Sequence, residues 1–239
     1  MTIHIIPTLQ DNYTYAIEND RGEVILIDCG EAPPVIAFLK EKNLKPVALL
    51  CTHHHWDHID GLPRLIEEFP DLPIYAAEQD QSRIHLATHL LNDGDEIILG
   101  GISFSCIETS GHTKNHLCFY AAALKALFSG DTLFSLGCGR LLEGTAEEMF
   151  HSLQILKALP DDTLIYCGHE YTLKNAEFTS AHDKGSNDLS ERMKQITDLR
   201  NNDKPTLPVT LGIEKKTNLF LKAESIEKFA QLRQLRDHF

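Results

Sequence analysis

The segment Thr52-His53-His54-His55-Trp56-Asp57-His58 puts four imidazoles and a carboxylate into seven positions. Imidazole nitrogen and carboxylate oxygen are the ligands that zinc, iron and manganese accept. In an extended or turning loop, residues i and i+2 project the same way. His53 and His55 can then clasp one ion while His54 faces elsewhere. Asp57 and His58, adjacent and past a turn, can aim at a second ion, and Trp56 is expected to pack beneath. A merely solvated loop explains the cluster poorly, because adjacent histidines repel one another once protonated.

Three further ligand-type side chains follow apolar runs. His112 comes in Gly111-His112-Thr113, Asp131 in Ser129-Gly130-Asp131-Thr132, and His169 in Gly168-His169-Glu170. Polar groups on loops at one edge of a rigid sheet are a common way to build a site. With the cluster they make seven candidate ligands, five His and two Asp. Two ions of four or five coordination need about that number if one group bridges them and water completes the shells. A carboxylate can bridge and an imidazole normally cannot, which makes Asp131 the bridging candidate. Asp28 and Glu170 are candidates for orienting imidazoles; Asp28 reads equally well as a turn residue. His85 and His89 lie four apart but without a helical pattern around them. His116 reads as packing near the ligands, and His4, His151, His182 and His238 as incidental.

The elements that must carry these groups are short. Ile3–Leu9, Tyr13–Glu18, Val24–Asp28 and Val47–Cys51 read as strands, with a helix from Pro33 to Lys42 and another over Ile59–Phe69. Strands return at Pro73–Ala76, Glu96–Leu99, Ile102–Ile107, Leu117–Ala121, Ala126–Phe128 and Thr163–Cys167. Asn92-Asp93-Gly94-Asp95 and Gly100-Gly101 look like hairpin turns. Thr145 and Glu148 suggest a capping box for a helix to about Ala158. Beyond His169 the chain reads as helical over Tyr171–His182, Asp188–Asn201 and Glu224–His238. Gly185-Ser186-Asn187 breaks the first two, and Pro205–Pro208 is linker-like.

In this order, the H-x-H-x-D-H segment, G-H-T, S-G-D-T and G-H-E-Y-T resemble the metallo-β-lactamase superfamily. Thr132-Leu133-Phe134-Ser135, Gly137-Cys138-Gly139-Arg140, Glu143-Gly144-Thr145, His169-Glu170-Tyr171-Thr172 and Asn218-Leu219-Phe220-Leu221-Lys222 narrow the likeness to its glyoxalase II branch, the hydroxyacylglutathione hydrolases. The resemblance covers the whole chain. It implies an α/β (α+β) fold, an αββα sandwich with a C-terminal helical domain: residues 1–165 catalytic, 166–239 substrate-binding. It implies two divalent ions, zinc first with iron or manganese as alternatives. His53, His55 and His112 would hold one, Asp57, His58 and His169 the other, and Asp131 would bridge. Asp57 and Asp131 would thereby hold a bridging hydroxide as nucleophile, and Arg140, Tyr171 and Lys222 would contact the glutathione moiety. The implied reaction is hydrolysis of S-D-lactoylglutathione to D-lactate and glutathione, the second step of methylglyoxal detoxification. The sequence departs from the branch at Asn115 and Leu136, where glycine is usual, at Leu142, often aromatic, and at Lys222, where arginine is usual and offers a bidentate fork. None of these is a metal ligand.

Composition narrows the alternatives. The chain has 239 residues, 42% apolar and 24% charged, which suits a globular protein of one or two domains. Lys and Arg number 22 against 35 Asp and Glu, a net of −13. That disfavours a tRNA-processing nuclease, which wants a basic surface. The start of the chain does not read as a secretory signal, which argues against an exported β-lactamase and for a cytoplasmic enzyme; a monomer with neither nucleic-acid nor membrane partner is expected. The six cysteines form no C-x-x-C pair and read as free thiols; Cys106, Cys118 and Cys167 look like core, and Cys138 like a turn. A persulfide dioxygenase would need fewer ligands than are present, and a non-catalytic scaffold would have lost some. A broader thioesterase or lactonase on the same two-ion centre is the nearest rival.

Overall fold

Runs of Val, Ile and Leu open the chain and pair into a sheet. The computed structural model describes residues 1–183 and 187–239. Within them, Met1–Glu108 with Asn115–Leu124 form one unit, and Thr109–Lys114 with Lys125–Phe239 a second.

The first unit begins with β1 (Thr2–Thr8), β2 (Asn12–Glu18), β3 (Glu23–Ile27), α1 (Ala32–Glu41), β4 (Lys45–Leu50), α2 (Trp56–Ile59), α3 (Leu62–Glu68), β5 (Ile74–Ala77) and β6 (His89–Leu91). The six strands lie in sequence order, antiparallel from β1 to β3 and parallel from β3 to β6. Parallel neighbours need crossovers, and α1 and α2–α3 supply two of them. Val24, Leu26, Leu49 and Ile74 pack in one cluster with Val35 and Leu39 of α1 and Leu62 and Leu65 of α3. The alternate residues Ile25, Ile27, Ala48 and Leu50 are buried as well. Burial on both faces is why β3 and β4 read as unbroken apolar runs. Their carboxyl ends release Asp28 and Thr52 side by side, with Asp28 N–H donating to Leu50 O at 2.9 Å.

The helix expected over Ile59–Phe69 is two helices instead. Gly61 separates them because the backbone there presses on Cys29; a Cβ would lie 2.7 Å from the Cys29 carbonyl oxygen. Asn92–Asp95 is not a hairpin turn either. It leads from β6 to β7 (Glu96–Leu99), which belongs to a different sheet. Gly100-Gly101 does close a two-residue hairpin from β7 to β8 (Ile102–Glu108), with φ of 55° and 85° that glycine adopts without strain. β9 (Leu117–Ala121) pairs antiparallel with β8.

In the second unit, β10 (Ala126–Gly130) is followed by a small hairpin of β11 (Leu133–Phe134) and β12 (Gly137–Cys138), then α4 (Ala146–Lys157) and β13 (Leu164–Cys167). β10 and β13 are parallel, with α4 between them in sequence. Thr145 and Glu148 form the capping box at the start of α4, both bonds present. Among the described residues from Thr172 on, the elements are four helices and one short strand: α5 (Thr172–His182), α6 (Asn187–Asn201), β14 (Val209–Thr210), α7 (Leu211–Thr217) and α8 (Ile226–Asp237). Of the break expected at Gly185-Ser186-Asn187, Gly185 and Ser186 lie outside the described residues and Asn187 begins α6. β14, antiparallel to β13, and α7 were not legible beyond the proline-rich stretch.

Candidate metal centre

In the first unit, one carboxylate organises the histidine turn. Asp28, at the end of β3 with φ of 55°, accepts from Thr52 N at 2.7 Å, from Thr52 Oγ1 at 2.8 Å and from His58 Nδ1 at 2.8 Å. Thr52 Oγ1 in turn lies 3.0 Å from His53 Nδ1. With the hydroxyl proton given to Asp28, its oxygen accepts from His53 Nδ1–H. Both His53 and His58 are thereby fixed as tautomers whose lone pair sits on Nε2, the ligating nitrogen. His53 Nε2 then faces His55 Nδ1 at 3.0 Å, and His58 Nε2 faces Asp57 Oδ2 at 3.7 Å. Asn12, at the start of β2, donates its side-chain amide to Asp57 O and Oδ2, at 3.1 and 3.0 Å. Gly30 lets the turn come close: a Cβ there would stand 1.9 Å from the Asp57 carbonyl oxygen. His116 is buried and stacks on His53, centroids 4.9 Å apart. Trp56, expected to pack beneath, is 62% exposed; it starts α2, whose buried residue is His58.

In the second unit, one oxygen of Asp131 faces two imidazoles. Asp131 Oδ2 is 3.4 Å from His112 Nε2 and 3.2 Å from His169 Nε2. His112 Nδ1–H donates to Arg140 O at 2.9 Å, which puts its lone pair on Nε2. Gly139 passes so close that a Cβ would sit 1.9 Å from Asp131 O. Gly111 and Gly144 lie back to back; a Cβ on Gly144 would come within 2.6 Å of Gly111 Cα. Tyr171 stacks flat on His169 at 4.6 Å and 4°.

These separations suit metal ligation. Tetrahedral ligands about 2.0–2.1 Å from an ion stand roughly 3.3 Å apart. The facing nitrogens and oxygens within the two units lie 3.0, 3.7, 3.4 and 3.2 Å apart. The donors are imidazoles and carboxylates, which suit a borderline divalent ion.

The family models match in the same two stretches of chain that the motifs occupy. Residues 7–169 match the metallo-β-lactamase superfamily and residues 170–239 the hydroxyacylglutathione hydrolase C-terminus. A hydroxyacylglutathione hydrolase of Citrobacter koseri is 41% identical over all of this chain and 96% of its own length. The Yersinia pestis protein of that name is 43% identical over 95% of this chain and 89% of its own. The chain belongs to the hydroxyacylglutathione hydrolase family. Among solved structures, TTHA1623 in a di-iron-bound form is 27% identical, with a TM-score of 0.66, over 92% of this chain and all of its own. The fold is that of the metallo-β-lactamase superfamily with a helical C-terminal region, and the family is one of metal-dependent thioester hydrolases.

The residues that the family likeness assigns to substrate all fall in the second unit. Tyr171 lies against His169 and Phe134. Arg140 and Lys222 are exposed; Lys222 Nζ lies 2.6 Å from Asp183 Oδ2, and Arg140 Nε 3.9 Å from Asp237 Oδ1. Glu170 accepts from Thr206 N and Oγ1, at 2.8 and 2.7 Å, so its carboxylate ties the post-α6 stretch back to the His169 turn. His89 lies on β6, stacked on Tyr75. The bond from Asn12 to Asp57 was missed, since nothing local in the sequence marks it.

Thiol chemistry finds no support. All six cysteines are free and buried. Burial pushes the thiols of Cys29, Cys106 and Cys167 up to about 12 and that of Cys138 up to about 11, and Cys51 well upward too. A protonated, enclosed thiol is a poor nucleophile.

Proposed function

We propose that the chain hydrolyses S-D-lactoylglutathione to D-lactate and glutathione, the second step of methylglyoxal detoxification, at a centre of two divalent ions. The observation that carries this reading is the pair of ligand sets spaced for metal, with His53, His58 and His112 each bonded through Nδ1, in a chain 41% identical to a hydroxyacylglutathione hydrolase. In this reading His53, His55 and His112 hold one ion, Asp57, His58 and His169 the other, and Asp131 both. Zinc is the first choice and iron or manganese the alternatives.

Two such ions supply an activated water at neutral pH and a Lewis acid for the thioester carbonyl. The protein's own residues do the rest. Asp28 and Thr52 hold His53 and His58 in the ligating tautomer. Asn12 steadies the Asp57 carboxylate. Arg140, Tyr171 and Lys222 bind the glutathione portion, whose carboxylates call for cations and whose peptide planes suit an aromatic face. The departing thiolate is a good enough leaving group that no general acid is required of the protein. Residues 1–165 form the catalytic part and residues 166–239 the substrate-binding part of a cytoplasmic monomer.

The test is loss of thioester absorbance with S-D-lactoylglutathione, alongside metal analysis of the same sample. Turnover with near two ions per chain, abolished by a chelator, is expected. No turnover in a sample shown to hold two ions would overturn the glutathione-thioester assignment.

A further inference from the structure

His54 is the one imidazole of the turn outside the proposed ligand set, and it sits between two members of that set. Any of three consecutive imidazoles could reach an ion if the turn shifted by a residue. What holds His54 lies within the first unit. Its Nδ1 is 3.1 Å from Oδ2 of Asp80, whose side chain is fully buried. Arg83 Nη1 lies 2.9 Å from His54 Nε2 and 3.2 Å from its Nδ1. A carboxylate accepts, so Nδ1 carries the proton given to Asp80. His54 is thus held between the Asp80 carboxylate and the Arg83 guanidinium. Asp80 itself is braced on its other oxygen: Asn115 Nδ2 donates to Oδ1 at 2.7 Å, and Arg83 Nε lies 3.9 Å away. A buried carboxylate is retained only where it is bonded in this way. Asn115 stands where the family likeness leads one to expect glycine, which could make no such bond. The next residue, His116, stacks on His53.

We infer that Asp80 is a positioning residue for the metal-ligating turn: with Asn115 and Arg83 it keeps His54 out of the ligand set and leaves His53 and His55 to the ion. The inference rests on the proposed ligand assignment, and its test separates the two. Wild-type protein is loaded with Co2+ and its ion content, visible spectrum and rate of ion loss to a chelator are measured. A wild type that holds no ions overturns the ligand assignment and the inference with it.

Given a loaded wild type, Asp80→Ala is expected to lose ions about 10- to 100-fold faster, the usual scale for removing a partner behind the ligands. Its cobalt spectrum shifts because His54 competes for the ion, while KM for the thioester stays put. His54→Ala removes the competitor, so Asp80→Ala in that background is expected to add nothing further to ion loss. Wild-type ion retention with an unchanged spectrum in Asp80→Ala overturns the inference, as does a full additional loss in the double variant. Should Asp80→Ala fail to fold, Asp80→Asn and Asn115→Gly carry the same readouts. Asn115→Gly is expected to speed ion loss less than Asp80→Asn; no acceleration in either overturns the inference.

Discussion

The turn Thr52–His58 and the hairpin β11–β12 each stand next to candidate ligands, yet they are held in opposite ways. The turn is fixed by a few short polar side chains, chiefly Asp28 and Asn12, that bond the ligand residues themselves. The hairpin, between Asp131 and Arg140, is held through its backbone by side chains from helices 40 to 95 residues away in sequence. Asn175 and Thr179 of α5 donate to Ser135 O and Leu136 O. Asn218, just past α7, donates to Phe134 O and Gly137 O, Arg233 of α8 donates to Cys138 O, and Glu214 of α7 accepts from Leu136 N. Leu136, at φ of 57°, plugs a small core with Ala176, Leu189 and Ile196. So the first region is specified by what bonds the ligands, and the second by whether the helical region is folded.

That contrast can be broken from either side. The largest effect is expected at Glu214, which is fully buried and pairs with buried Arg192, itself bonded to Thr217 and Ser135. Glu214→Ala strands the guanidinium and should lower unfolding free energy in urea by about 3–5 kcal/mol. Replacing both partners by apolar residues of similar size should recover much of it. Asp28→Asn is expected to act the other way round. It should weaken ion retention about 10- to 100-fold, measured by chelator competition, because the tautomers of His53 and His58 are no longer enforced. Equal damage to ion retention from both variants would contradict the division of labour. Lys222→Ala is a smaller step. Its KM for the glutathione thioester should rise about two- to fivefold, the scale of an exposed ion pair, with short-chain thioesters unaffected. Equal effects on both substrates would count against a glutathione site there.

The same contrast explains what the sequence allowed. The turn was legible because its ligands are neighbours in the chain, and His53, His55, Asp57 and His58 needed only i, i+2 projection to be grouped. Asp28 was half legible, a carboxylate after a strand, since nothing local says that Thr52 will lie alongside. Asn12 was not legible, because its bond to Asp57 spans 45 residues. Trp56 was misplaced for a related reason: burial belongs to the face of α2 that carries His58, which a four-residue helix does not announce by periodicity. The hairpin's motif was visible through Gly137-Cys138-Gly139-Arg140, but not its clamp. Asn175, Glu214, Asn218 and Arg233 look like ordinary polar residues of amphipathic helices until the fold sets them against hairpin carbonyls and amides.

Two thiols report on the two regions directly. Cys51 lies just after β4 beside the turn, and Cys138 ends β12 in the hairpin; both are buried. Burial favours the neutral thiol, so each is raised, Cys138 to about 11, and neither ionises appreciably near pH 8 in the native state. A disulfide reagent at that pH should therefore leave both unmodified until the region opens. Cys51 directly follows a strand buried on both faces, whereas Cys138 is enclosed only while α5 to α8 hold their bonds. In rising urea Cys138 should react first, at concentrations where Cys51 is still protected, because local opening precedes global unfolding where enclosure depends on few contacts. Labelling both at the same midpoint would mean that hairpin and turn open as one unit, and the contrast drawn here would be one of bonding alone, with no counterpart in stability.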